Sequence, residues 1–160
     1  MWLRVLAFSM TAISVSSCGW HLQGTSRLSE AAAVTYIDTE DRYSDFHRAL
    51  RERLRASGAR LVEKPEDATA IVRIREDQSG QRVLVVSARN TPEEYEVFYR
   101  VEYSVSNQTE QVIEPHRIEL TREYSYDATA VLAKQKEQAV LREALARDLA
   151  GLVVRRLSAL

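Results

Sequence analysis

From Tyr95 to Val105 every second residue is Tyr or Val, with Glu96, Arg100, Glu102 and Ser104 among the residues between them. A period of two belongs to an extended strand, because successive side chains of a strand point to opposite faces. One face of such a strand needs a core, and the other tolerates water. The chain can supply that core: it has 160 residues, 45% hydrophobic and 28% charged, with only 5 Gly and 3 Pro. That balance excludes a disordered or fibrous chain and fits a globular domain.

The neighbouring segments repeat the pattern. Ala70, Val72 and Ile74 share one strand face, Asp77-Gln78-Ser79-Gly80 reads as a turn, and Arg82 to Arg89 is a nearly continuous Val and Leu run. Asn90 to Glu94 turns the chain back, Asn107 to Pro115 turns it again, and a further strand is expected from Arg117 to Ser125. Links this short predict an antiparallel meander. Before it lie a short strand, Val34 to Asp38, and a helix capped by Ser44 or Asp45. Phe46, Ala49, Leu50 and Leu54 recur at helical spacing, Gly58 ends the helix, and Arg48, Arg51, Glu52 and Arg55 form a solvated outer face. A long helix from Ala130 to Leu157 closes the chain, with Leu141, Leu145, Leu149 and Leu152 as its apolar stripe beside Ala144, Val153 and Leu157. Gly151 inside it costs about 1 kcal/mol relative to Ala, which points to close packing there. The predicted fold class is α+β: a single domain over residues 34–160, with a mixed, mostly antiparallel sheet of about four to five strands and two helices packed on one face.

The first residues have a different character. Arg4 precedes the mostly apolar run Val5 to Val15, then Ser16 and Ser17, then Cys18, the single cysteine. This is the three-part layout of a secretory signal, and its apolar run falls short of the ~20 residues that a spanning helix needs. Val15-Ser16-Ser17-Cys18 also resembles a bacterial lipobox, in which cleavage occurs just before an acylated cysteine. Residues 1–17 are then a lipoprotein signal peptide, Cys18 is the lipidation site, and residues 18–33 form a lipidated tether. Burial of acyl chains is worth about 0.8 kcal/mol per methylene, so two or more chains hold a protein on a membrane. Gly19 stands where Asp would direct inner-membrane retention in many Gram-negative bacteria, which favours the outer membrane.

No catalytic constellation emerges, and an enzyme is not expected. His21, His47 and His116 stand in the tether, the first helix and a loop, without Cys partners or i, i+4 pairing, so no metal site or cofactor is expected. The acidic pairs Glu66-Asp67, Glu76-Asp77 and Glu93-Glu94 are sequence neighbours in predicted turns, unlike the facing carboxylates of a glycosidase. Phosphate-cradling and serine-hydrolase motifs are absent from the sequence. A formal charge of -1 gives no global attraction to nucleic acid, so any electrostatic site is local. Only Lys64, Lys134 and Lys136 among the 22 cationic side chains are lysines, a bias toward fork-shaped donors. Arg73, Arg75 and Arg82 lie on or beside adjoining strands and form a possible basic patch for phosphates or carboxylates. Equally, such arginines can pair with Glu96, Glu102 and Glu119 across the strands.

Three stretches together resemble the LptE (RlpB) family of lipopolysaccharide-assembly lipoproteins. They are Cys18-Gly19-Trp20-His21-Leu22, then Leu50 to Leu54 running into Ser57-Gly58-Ala59-Arg60-Leu61, and finally Arg122 to Asp127 followed by Leu132-Ala133-Lys134, Glu137, Glu143, Asp148 and Arg156-Leu157. The likeness spans nearly the whole chain after the signal, and the order of the motifs carries it. The resemblance implies a non-enzymatic outer-membrane lipoprotein, lipid-anchored on the periplasmic side. Its members sit inside the lumen of a large β-barrel, LptD, as a one-to-one plug that helps the barrel assemble and helps lipopolysaccharide reach the outer leaflet. The family is also thought to bind lipopolysaccharide, and the basic residues at the matching places are Arg89 and Lys134. Where the family pattern has Gly after Asn90, this chain has Thr91-Pro92. The alternative role is that of an auxiliary lipoprotein in another envelope lipid-transport system, and a lipid-anchored enzyme is a third.

Overall fold

The computed structural model describes residues 28–127 and 129–160. The signal segment, Cys18 and most of the tether lie outside the described residues. Seven elements follow in order: β1 (Val34–Asp38), α1 (Asp45–Ala56), β2 (Arg60–Leu61), β3 (Ala70–Val86), β4 (Pro92–Ser106), β5 (Gln111–Ser125) and α2 (Val131–Leu157), with 3-10 turns at Glu30–Ala32 and Pro65–Asp67. They form one five-stranded sheet in the order β2-β1-β3-β4-β5. The meander β3-β4-β5 is antiparallel, while β1 runs parallel to both β2 and β3. The fold is α+β, with a mixed and mostly antiparallel sheet, as its sequence predicts.

Both helices pack on one face of the sheet. Ser44 caps α1 by accepting a hydrogen bond from the His47 amide at 3.0 Å, and Gly58 ends it with φ of 91°. Phe46, Leu50 and Leu54 of α1 meet Leu145, Leu149, Val153 and Leu157 of α2 over Val72, Val101, Tyr103 and Val105, all but fully buried. Leu152, placed in the stripe by spacing, lies at its rim and is 36% exposed, because the buried face of α2 turns toward Ala146, Ala150 and Val154. A Cβ on Gly151 would meet the Arg53 guanidinium at 3.6 Å, an ordinary contact with a flexible side chain, so no backbone is pressed against it. At the entry to the domain, Leu28 packs on this core and Ser29 Oγ donates to the Leu157 carbonyl at 3.1 Å.

Two local readings are corrected, and one short strand is added. Asp77 to Gly80 is no turn, since β3 continues unbroken to Val86. The cause is a bulge: Ile74 pairs with Tyr103 but Glu76 with Glu102, so one extra residue reverses which side chains face the helices. Val72 and Ile74 face the core before the bulge; Asp77, Ser79 and Gln81 share the face of Val101, Tyr99 and Val97 after it. The two-residue strand β2 has too little sequence to carry a period, and it forms because α1 returns the chain beside β1. Finally, β5 begins at Gln111 rather than Arg117: Pro115 fits within this edge strand near the irregular pairing between Tyr103 and Val105.

Candidate functional site

The end of the sheet remote from Leu28 combines the two basic residues singled out from the sequence. The hairpin between β3 and β4 closes through Ser87 and Thr91, with Ser87 N–H donating to the Thr91 carbonyl at 2.8 Å and Asn90 N–H donating to Ser87 O at 2.9 Å. Asn90 itself takes the left-handed conformation, φ 58°, which asparagine tolerates better than most residues. The positive φ therefore falls on Asn90, and Thr91-Pro92 needs no glycine. Arg89 is exposed beside it, with no ion-pair partner among the described residues.

Lys134 belongs to the first turns of α2, yet it reaches the same end. Its ammonium lies 6.0 Å from the Tyr124 ring centre and 2.9 Å from Glu137 Oε2, and the side chain is only 18% exposed. Tyr124 pairs across the sheet with Tyr95, their rings stacking at 5.8 Å, and Tyr126 meets Tyr95 edge-on at 5.2 Å. The Tyr124 hydroxyl donates to Gln81 Oε1 at 2.9 Å, and burial pushes its pKa upward. This tyrosine cluster links the start of α2 to the hairpin strands. Val83, paired with Tyr95, continues the same face toward the loop.

The arginines of the possible basic patch are spread out. Arg73 is held by Asp38 at 2.7 Å, Arg75 falls in the bulge, and Arg82 stands nine residues further along than Arg73, about 30 Å at strand spacing. Arg82 is bonded to Glu96 and reaches Glu119 at 3.3 Å. The pairing continues through Arg100 to Glu119 at 2.7 Å, and through Arg117 to Glu76 and Glu102 at 3.1 and 3.0 Å. The hydrogen bond that Arg82 donates to Glu96 raises the Arg82 pKa and that from Arg100 lowers the Glu119 pKa, so both ions are favoured. Arg82 and Arg100 also flank the Phe98 ring, at 5.4 and 5.7 Å from its centre. Gly80 lies under that ring, where a Cβ would come within 2.8 Å of it.

A part-buried polar cluster escapes sequence reasoning. Asp77 accepts from Ser44 Oγ at 2.5 Å and from the Tyr99 hydroxyl at 2.8 Å, and Tyr99 Oη accepts the Phe46 amide at 3.1 Å. Burial raises the Asp77 pKa against the pull of these two hydroxyls. Next to it, His47 Nδ1 donates to the Arg42 carbonyl at 2.7 Å, and burial lowers its pKa, keeping it neutral. The cluster ties the start of α1 to β3 and β4. Its only trace in the sequence is Asp77, set where the strand period is interrupted. Among the described residues no three His, Cys, Asp or Glu side chains gather as a metal site, and no helix is long and apolar enough to cross a membrane.

The sequence model of the family described as LptE, lipopolysaccharide-assembly, matches residues 32–157, from the turn before β1 to the last residue of α2. The chain belongs to the LptE family. The LPS-assembly lipoprotein LptE of Pectobacterium atrosepticum is 29% identical, over 97% of this chain and 84% of that protein. Two solved structures share the fold: rare lipoprotein B from Shewanella oneidensis, and a lipoprotein B from Nitrosomonas europaea. The first has a TM-score of 0.69 at 25% identity, over 79% of this chain and 94% of that one; the second has 0.73 at 25%, over 88% and 91%. This LptE-family domain thus takes the architecture of other bacterial lipoproteins, and its role is that of a lipopolysaccharide-assembly lipoprotein.

Proposed function

We propose that this protein is anchored in the outer membrane by acyl chains on Cys18, after removal of residues 1–17. There it plugs an LptD-type β-barrel in a one-to-one complex, helps that barrel assemble, and binds lipopolysaccharide during its insertion. Membership of the LptE family supports the reading, and one observation carries its ligand-binding part: Lys134, 45 residues after Arg89 in the chain, lies beside Tyr124, whose ring stacks on Tyr95 of the hairpin strands that lead to Arg89. Phosphates and carboxylates of a glycolipid are received there by charge-assisted hydrogen bonds. Arg89 is free to donate, and Lys134 exchanges its bond to Glu137 for one to the ligand. No bond-making step is assigned to any residue.

The test is the double variant Arg89→Asp, Lys134→Asp, assayed for lipopolysaccharide binding next to the parent protein. Both residues lie outside the core, so the variant keeps its cooperative unfolding transition while binding falls by about tenfold or more. Unchanged binding by the folded variant contradicts the assignment of these two residues.

A further inference from the structure

Two clefts meet on the outer face of α1, and Arg42, His47 and Arg51 line both. The inner cleft reaches Tyr36 of β1 and Leu61 of β2, at the sheet edge opposite β5, and the outer one runs on to Arg48 and Arg55. His47, Arg51 and Arg55 follow at intervals of four residues, so groups that carry or can take positive charge share one helical face. Like charges at this spacing work against a helix. Carboxylates do little to relieve them. Arg48 is already bonded to Asp45 at 2.5 Å, and Arg42 reaches Glu63 only at 3.9 Å. Arg51, which is half-buried, and Arg55 have no carboxylate oxygen within 4.0 Å among the described residues, although Glu52 stands on the same wall.

His47 narrows the choice of anion. The residue is 4% exposed, and its Nδ1 donates to the Arg42 carbonyl at 2.7 Å, so the neutral ring carries its lone pair on Nε2. Nε2 has no hydrogen-bond partner among the described residues, and no buried side-chain nitrogen there is left unsatisfied, so Nε2 opens onto the clefts. A neutral acceptor set among guanidiniums is selective. Near neutral pH a carboxylate, a sulfate or a phosphodiester offers Nε2 only further lone pairs. A phosphate monoester, whose second pKa is about 6, offers a P–OH to Nε2 and charged oxygens to the arginine forks. We propose that Arg42, His47, Arg51 and Arg55 form a binding site for a phosphate monoester, the arginines holding its charged oxygens and His47 Nε2 sharing its proton. Arg42 and Arg51 oppose protonation of the ring and Asp77 on β3 favours it, while Tyr36 and Glu63 face it across the inner cleft. A bound dianion adds to the side of Asp77. The same chemistry is offered by free phosphate and by the headgroup of a phosphomonoester lipid.

The test is a titration of the full-length lipidated protein in detergent with inorganic phosphate, followed by NMR of the His47 ring protons. At pH 7.5 phosphate should bind about tenfold more tightly than sulfate at equal ionic strength, and it should raise the midpoint of the His47 titration by about one pH unit. Arg51→Gln, Arg55→Gln, which leaves the core untouched, should lower phosphate affinity about tenfold or more, whereas Arg89→Asp, Lys134→Asp should leave it unchanged. Dihexanoyl phosphatidic acid, titrated in the same way, separates the sources: tighter binding than inorganic phosphate identifies a lipid headgroup, and equal or weaker binding identifies a soluble phosphate. A His47 titration that ignores phosphate, equal binding of sulfate, or full affinity in the folded Arg51→Gln, Arg55→Gln variant overturns the proposal. Should that variant not fold, Arg51→Lys, which keeps the charge and loses the fork, should still weaken binding, and unchanged affinity there overturns the proposal as well.

Discussion

The strands β3 and β4 pass through two environments. Near β1 their inward residues Val72, Val101, Tyr103 and Val105 are almost fully buried under α1 and α2. Toward the hairpin all of Gln81 to Val86 on β3 is exposed, while its partner β4 keeps Val97 buried and Tyr95 partly buried. The aliphatic content is similar in both halves, so composition does not separate them; what differs is whether a helix covers the face. The proximal half is committed to stability, and the distal half carries surface that stability does not explain. In this chain the exposed half also holds Arg89 and borders Lys134.

The widest contrast between the halves should come from paired truncations. Leu149→Ala, in the buried stripe, is expected to lower the unfolding free energy by about 2–5 kcal/mol, whereas Val85→Thr at the exposed tip should stay within about 0.5 kcal/mol. Urea denaturation measures both, and equal losses would erase the distinction. Gly80 lies at the boundary. Gly80→Ala places a Cβ 2.8 Å from the Phe98 ring and should cost about 1–3 kcal/mol by displacing it from between Arg82 and Arg100. A neutral result would mean that the ring moves freely.

The proximal half should also carry a pH dependence. His47 has its folded pKa below the ordinary 6.5, so the unfolded chain takes up a proton first as pH falls. Stability contributed by this group is full above 6.5 and declines as pH drops below it toward the folded value. Asp77, raised above 3.8, acts in the other sense: its contribution is full below 3.8 and is lost as pH rises through the folded value. His47→Gln should flatten the decline below pH 6.5 in thermal unfolding curves, and Asp77→Asn should leave it. A small effect of opposite sign is expected at the helix contact. Gly151→Ala should stabilise the domain by up to about 1 kcal/mol, since the added methyl meets only the far ends of the Arg53 and Arg155 side chains, at 3.6 and 3.7 Å.

Much of the fold is legible in the residues because the buried faces repeat at fixed periods. The α1 stripe, Gly58, the β4 alternation and the α2 stripe each follow from local spacing. The bulge beside Arg75 is different: a single added residue inverts the facing pattern, and Asp77-Gln78-Ser79-Gly80 then imitates a turn. The parallel placement of β1 between β2 and β3 depends on where α1 sets the chain down, which two residues of β2 cannot encode by themselves. At the candidate site, Arg89 and Lys134 could be named from motif order, but the placing of Lys134 beside the hairpin strands depends on Tyr95 and Tyr124 pairing across β4 and β5. The Asp77–Ser44–Tyr99 cluster was hidden because its three members come from separate elements.

The central claim is that this lipoprotein works inside a barrel. Its most direct test is affinity purification of the full-length lipidated protein from detergent-solubilised outer membranes, with mass identification of whatever is recovered at one-to-one stoichiometry. A single large β-barrel protein is the expected result, and a properly lipidated outer-membrane sample that yields no such partner would contradict the account.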